Sequence, residues 1–164
     1  MRINQDNIFG NNTVEIKVDI DIGRLKEIIE NESLRIQRIF DETVIQSNRE
    51  IQNFDDNFIP IDDKNIKNDL VGYWNEFIKK HESKLKILKD FFADNDYMEK
   101  IESASDDLKE EIFAFKNKNN HLLTPEVLRF IINQHTQHFN NTDDKNIAKL
   151  IIFYLYRFCF IGEK

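Results

Sequence analysis

The sequence predicts a mainly α protein, a helical bundle of about five helices preceded by a short N-terminal β-strand or hairpin arm. Three observations lead there. Glycine and proline are scarce, 4 and 2 residues in 164, so the chain lacks the turn chemistry that sandwiches and doubly wound sheets require. From Arg24 onwards apolar residues recur at intervals of three, four and seven among charges, the period of an amphipathic helix. Before that point Val14, Ile16, Val18, Ile20 and Ile22 alternate with Glu15, Lys17, Asp19 and Asp21, the period of a half-buried strand.

Residues 1–23 read as an Asn-rich arm carrying that strand. A single strand leaves its edges unpaired. It must therefore pair with Ile8-Phe9 as a hairpin through Gly10-Asn11-Asn12, with a second copy of the chain in a homo-oligomer, or with a partner. Residues 24–54 form a long amphipathic helix on Leu25, Ile28, Ile29, Ile36, Ile39, Phe40, Val44, Ile51 and Phe54, with Asn31 to Ser33 as the place where it would break. Pro60, flanked by Asp55, Asp56, Asp62 and Asp63, disfavours helix at Ile59 and sets the internal boundary.

Residues 64–164 then make a C-terminal helical domain. Its first helix covers about 64–93, with Leu70, Tyr73, Trp74, Phe77, Ile78, Leu85, Leu88, Phe91 and Phe92 on one face. The next follows Asp94-Asn95-Asp96 and presents Tyr97, Met98, Ile101, Leu108, Ile112 and Phe115. Thr124-Pro125-Glu126 opens another, with Thr as N-cap and Pro at the first helical position. The last begins after Asn140 to Asp144 and is expected to end at Gly162. Trp74, Phe91, Leu108, Ile112, Ile151 and Leu155 lie on the apolar stripes of different helices and are the predicted core.

A net charge of −7 repels phosphate backbones at long range and argues against broad nucleic-acid binding. One local exception is the basic stretch Lys79, Lys80, Lys84, Lys86 and Lys89 with His81, diluted by Glu76, Glu82 and Asp90. No secretory signal opens the chain, so a cytoplasmic location is expected. The apolar run from Leu150 to Ile161 is interrupted by Arg157 and is too short for a membrane span of about 20 residues. Cys159, the single cysteine, has no partner for a disulfide or thiolate metal site and reads as a small core residue.

Signals for chemistry are weak. Glu15-Ile16-Lys17 on a strand, with Asp6 upstream, has the residue types by which one nuclease class holds Mg²⁺, but that core needs a helix and a further strand before the motif. His135 and His138 are three residues apart on a helix, an acceptable spacing for two metal ligands, yet a third ligand is missing and His135 continues the stripe of Leu128, Ile131 and Ile132. The chain is expected to be no enzyme and to need no metal or cofactor.

Three features stand in a recognisable order: Tyr97 opening a helix, the pair Leu108 and Ile112, and, after a spacer of about one helical hairpin, the run Tyr154-Leu155-Tyr156-Arg157-Phe158-Cys159-Phe160-Ile161-Gly162. Together they resemble the C-terminal domain of effector subunits in bacterial ABC-three-component defence systems, the Lamassu-like group built around an SMC-type ATPase. Leu155 stands where that family has Met, and Phe158 and Phe160 where it has Asn and Asp. The resemblance covers residues 66–164.

It implies a helical coupling domain that docks a defence effector onto its ATPase complex. In that family the chemistry resides in an N-terminal nuclease or other effector domain, for which this chain has no room. The reading is therefore a non-catalytic protein-interaction subunit of an antiviral defence complex, coupling an SMC-type ABC ATPase subunit to an effector nuclease subunit supplied in trans. Another small protein-binding regulator, such as an antitoxin or a phage-encoded inhibitor, is the alternative. Tyr154, Tyr156, Arg157, Phe158 and Phe160 on the closing helix, and Val14, Ile16, Val18 and Ile20 on the strand, are the expected partner-binding residues. At 3.6 residues per turn Tyr154, Tyr156 and Phe160 cannot share one seam, so at least one should face a groove or a partner.

Overall fold

The computed structural model of the chain describes residues 23–46, 60–115 and 123–162. The expected strand over Val14 to Ile22 and the end of the first helix, 47–54, lie outside the described residues. Among those described, all regular structure is helical and there is no strand.

Helix α1 (Gly23–Gln46) runs unbroken through Asn31 to Ser33. Leu25, Ile28, Ile29, Ile36 and Phe40 are all buried, and this continuous stripe holds the helix together across the three polar residues. Helix α2 (Ile61–Lys67) starts directly after Pro60, where the fixed φ of proline suits a helix entry.

The single helix expected over 64–93 is interrupted. After α2, Asp69 takes a left-handed backbone (φ 53°) and the Leu70 N–H turns back to the Asn65 carbonyl at 2.8 Å. One α-turn, α3 (Val71–Tyr73), leads into a π-turn over Trp74–Ile78 and a 3₁₀ turn over Lys79–His81, and then into α4 (Glu82–Asp94). Spacing explains the widened turn. Leu70, Trp74 and Ile78 are all buried at repeats of four, which in an α-helix drift by about 40° per step. A π-turn, closed i to i+5, takes up that drift and keeps the three on one face.

Helix α5 (Met98–Phe115) follows a left-handed Asp96. Helix α6 (Pro125–Thr136) begins as the sequence predicts: the Thr124 hydroxyl accepts from the Val127 N–H at 3.4 Å, with Pro125 in the first turn. Helix α7 (Thr142–Arg157) is capped by the Asn141 side chain, which accepts from the Asp143 N–H at 2.7 Å. Asp143 and Asp144 lie in its first turn, where the helix dipole favours negative charge.

The core forms around α7. Every residue from Leu150 to Tyr156 is buried, and the helix packs against α1, α4 and α6. The six predicted core residues Trp74, Phe91, Leu108, Ile112, Ile151 and Leu155 are all buried. Full burial of such side chains stabilises by about 1.5–3 kcal/mol each. The sequence divides the chain into 24–54 and 64–164, but the described part of the first segment shares one apolar cluster with the second, so α1 packs as a member of the bundle.

Candidate functional site

Helix α7 ends at Arg157, five residues before the glycine expected to stop it. Cys159 adopts the left-handed conformation (φ 63°). The Cys159 N–H donates to the Tyr156 carbonyl at 3.2 Å and the Phe160 N–H to the Leu155 carbonyl at 2.9 Å. This is the Schellman pattern of a helix C-terminus, with cysteine at the position glycine usually fills. The turn satisfies some of the carbonyls that a helix end leaves without partners.

A residue that sequence reasoning missed reaches the same turn. The fully buried Lys64 donates from Nζ to the Tyr156 carbonyl at 2.6 Å and to the Ile161 carbonyl at 2.7 Å. The same ammonium lies 4.6 Å from the centre of the Tyr156 ring. A cation is favourable at the negative end of the helix dipole, and buried charge is tolerated only when hydrogen-bonded in this way. Beside it the Tyr156 hydroxyl donates to Asn65 Oδ1 at 2.8 Å. Asn68 donates to the Lys64 carbonyl at 2.8 Å and accepts from the Leu123 N–H at 3.3 Å. Gly162 (φ 83°) closes the cluster: a Cβ there would lie 3.2 Å from both Asn68 Oδ1 and Tyr156 Cε2.

The other residues of the recognised motif also serve the interior. Tyr97 stacks on Phe91 with ring centres 6.0 Å apart and donates from its hydroxyl to Glu32 of α1. That acceptor is the main reason its pKa lies above the ordinary value. Leu108 and Ile112 are buried. Tyr154 is enclosed by Phe92, Phe158 and Phe160, with ring centres 5.2, 5.0 and 5.9 Å away, and burial pushes its hydroxyl up to about 12. Burial also raises the pKa of Tyr156, with Cys159 adding to the effect.

The structure thus places Tyr154, Tyr156 and Phe158 inside the bundle. Arg157 is half-buried and donates from Nε to Glu82 Oε1 at 2.9 Å. Phe160 is partly buried and lines a groove of about 370 Å³ between α5 and the closing turn. Glu102, Ser105, Asp106 and Lys109 form the α5 wall, and Phe158 and Cys159 the rest. A second depression of about 300 Å³ lies between α1 and α5, bridged by Arg24 to Asp107 at 3.2 Å and Lys100 to Glu27 at 3.1 Å. Val14, Ile16, Val18 and Ile20, and the Asp6, Glu15 and Lys17 set, lie outside the described residues.

The histidine pair is divided by the fold. His135 is buried and its Nε2 lies 3.0 and 3.2 Å from the two carboxylate oxygens of buried Glu111 on α5, while His138 is exposed. Among the described residues no group of three His, Cys, Asp or Glu is placed to hold a metal ion. Among them, too, no helix is long and apolar enough to cross a membrane.

Comparison with known families finds a match over residues 14–162 to the family described as C-terminal domain 12 of the ABC-three component (ABC-3C) systems. The match begins well upstream of the 66–164 covered by the sequence resemblance and takes in α1. Nothing among the curated proteins or the solved structures matches the chain.

Proposed function

This chain belongs to the C-terminal domain 12 family of the ABC-three component systems, and from that membership we propose that it works by holding other proteins, as a non-catalytic interaction subunit of an antiviral defence complex. In this reading it couples an SMC-type ABC ATPase to an effector nuclease that supplies the chemistry in trans. The observation that carries the reading is the extent of the match, which embraces every described helix from α1 to α7. The groove at Phe160 is the proposed docking place. It offers a half-exposed aromatic ring beside the Lys109 and Asp106 pair, joined at 2.8 Å, an apolar anchor next to polar rim groups as interfaces commonly use.

Co-expression of the chain with the ATPase and effector subunits of the same system tests this. Affinity capture of the chain should bring down both. Phe160→Arg and Asp106→Arg, which change the exposed wall and floor of the groove, should weaken capture of one partner while the helical circular dichroism spectrum is unchanged. A folded chain that captures neither subunit, or that cleaves DNA by itself in Mg²⁺, would show the reading to be wrong.

A further inference from the structure

Arg24, Lys26, Arg35, Lys100, Lys109 and Arg157 each lie against a carboxylate. Lys80, His81, Lys84 and Lys149 lie against aromatic rings, and among the described residues none of the four has an ion pair. Lys149 of α7 places Nζ 5.4 Å from the centre of the Phe153 ring, and the His81 ring is 6.1 Å from that same ring. Lys80 is the chain neighbour of His81, with Nζ 6.0 Å from the Phe77 ring. Lys84, on α4, lies 5.1 Å from the Phe40 ring. Lys149 and His81 meet at the Phe153 ring, and Lys80 and Lys84 stand one and three positions from His81 in the chain, which gathers the four into one patch.

The groups repel one another. The pKa of His81 is held below the ordinary value by burial and then by Lys80, Lys149 and Lys84. That of Lys149 is lowered by burial and then by Lys80. A bound polyanion would relieve this repulsion, and nothing else in the described structure does.

We propose that the face formed by Lys80, His81, Lys84 and Lys149 around Phe153 binds the phosphodiester backbone of a nucleic acid. One feature favours this ligand over an acidic polypeptide. At the edge of the patch Tyr73 and Phe77, half-buried with ring centres 4.9 Å apart, offer aromatic surface on which the bases of a nucleic acid stack. The net charge of −7 does not oppose this, because charges farther away than about 8 Å are largely screened at physiological salt. The proposal is independent of the protein-holding role.

The test is fluorescence anisotropy of the full chain with a labelled oligothymidine and a labelled mixed-sequence duplex, each of about 20 units, between about 50 and 200 mM salt. Binding should fall with salt with a log–log slope of about −2 to −3, as expected for some three phosphate contacts. Combining Lys80→Gln, Lys84→Gln and Lys149→Gln should weaken binding at least about tenfold and flatten the slope. Lys26→Gln, Lys100→Gln and Lys109→Gln together make the same charge change elsewhere and should leave it intact. Circular dichroism checks folding, and the single variants Lys80→Gln and Lys149→Gln carry the test if the combination unfolds. Absence of binding to either oligonucleotide at low salt, equal loss in the control set, or polyglutamate binding as tight as oligonucleotide binding would each overturn the proposal.

Discussion

The ammonium of Lys64 and the backbone oxygen of Tyr156, 92 positions apart in the chain, are joined at 2.6 Å. With the second bond to Ile161, this ties the short helix α2 to the end of α7, and the Tyr156 oxygen, which also accepts from the Cys159 N–H, takes a second donor. Lys64→Met keeps most of the apolar stem and removes the donors, so it should cost about 2–4 kcal/mol, and Lys64→Ala somewhat more. Urea unfolding followed by circular dichroism measures this. An unchanged midpoint in Lys64→Met would mean that the grip contributes nothing.

Gly162→Ala should destabilise by about 1–2 kcal/mol, because the new methyl meets Asn68 and Tyr156 at 3.2 Å on a backbone of φ 83° that L-residues rarely adopt. For a domain of this size the melting temperature should drop by about 2–8 °C. A melting temperature equal to that of the parent would show that the closing turn relaxes at no cost.

Alkaline pH should loosen the fold through Tyr154 and Tyr156. Below the ordinary tyrosine value near 10 the hydroxyls are protonated in both folded and unfolded chains. Above it the unfolded chain releases protons first, so the folded state binds more protons and its stability falls as pH rises. For Tyr154, whose folded value is about 12, the loss runs from about pH 10 to 12. Unfolding midpoints across that range, with tyrosinate absorbance read alongside, should show the decline, and Tyr154→Phe should make it shallower. A decline of the same steepness in Tyr154→Phe would place the effect elsewhere.

His135 and Glu111 join α6 to α5 as a buried pair. Removing either partner strands the other polar group in the core. Glu111→Ala and His135→Ala should each destabilise by about 1–3 kcal/mol, and a double-mutant cycle should return a coupling of about 1 kcal/mol or more. Strictly additive losses would mean that the contact is incidental.

Helices with long, one-sided stripes and side-chain caps were readable from the chain alone. Thr124-Pro125 announced α6 and the Leu128, Ile131, Ile132 stripe followed from it. The break at Asp69 was hidden because the apolar spacing from Leu70 onwards continues as a helix would, and one left-handed residue leaves no periodic trace. In α2 and at its C-cap the covered residues are polar: Ile66 is 68% exposed while Lys64, Asn65 and Asn68 are buried. No local pattern favours a lysine over an isoleucine for the interior, since the carbonyls that accept it lie at the far end of the chain. The aromatic run Tyr154 to Phe160 read as a docking surface because a helix apolar on nearly every side must be covered. Sequence alone could not say that α1, α4 and α6 supply the cover.

The position of α7 has a consequence during synthesis. It is the last of the described helices in chain order and the one around which the earlier helices pack. At about 5–20 residues per second, α1 waits on the order of ten seconds for the element it packs on. During that interval α1 has only α4 and α5 to pack on, and the apolar surface those two leave uncovered is open to chaperones. A ribosome stalled within α7 would release a chain whose helices have lost their common centre, so the cell receives either the assembled bundle or material for proteolysis.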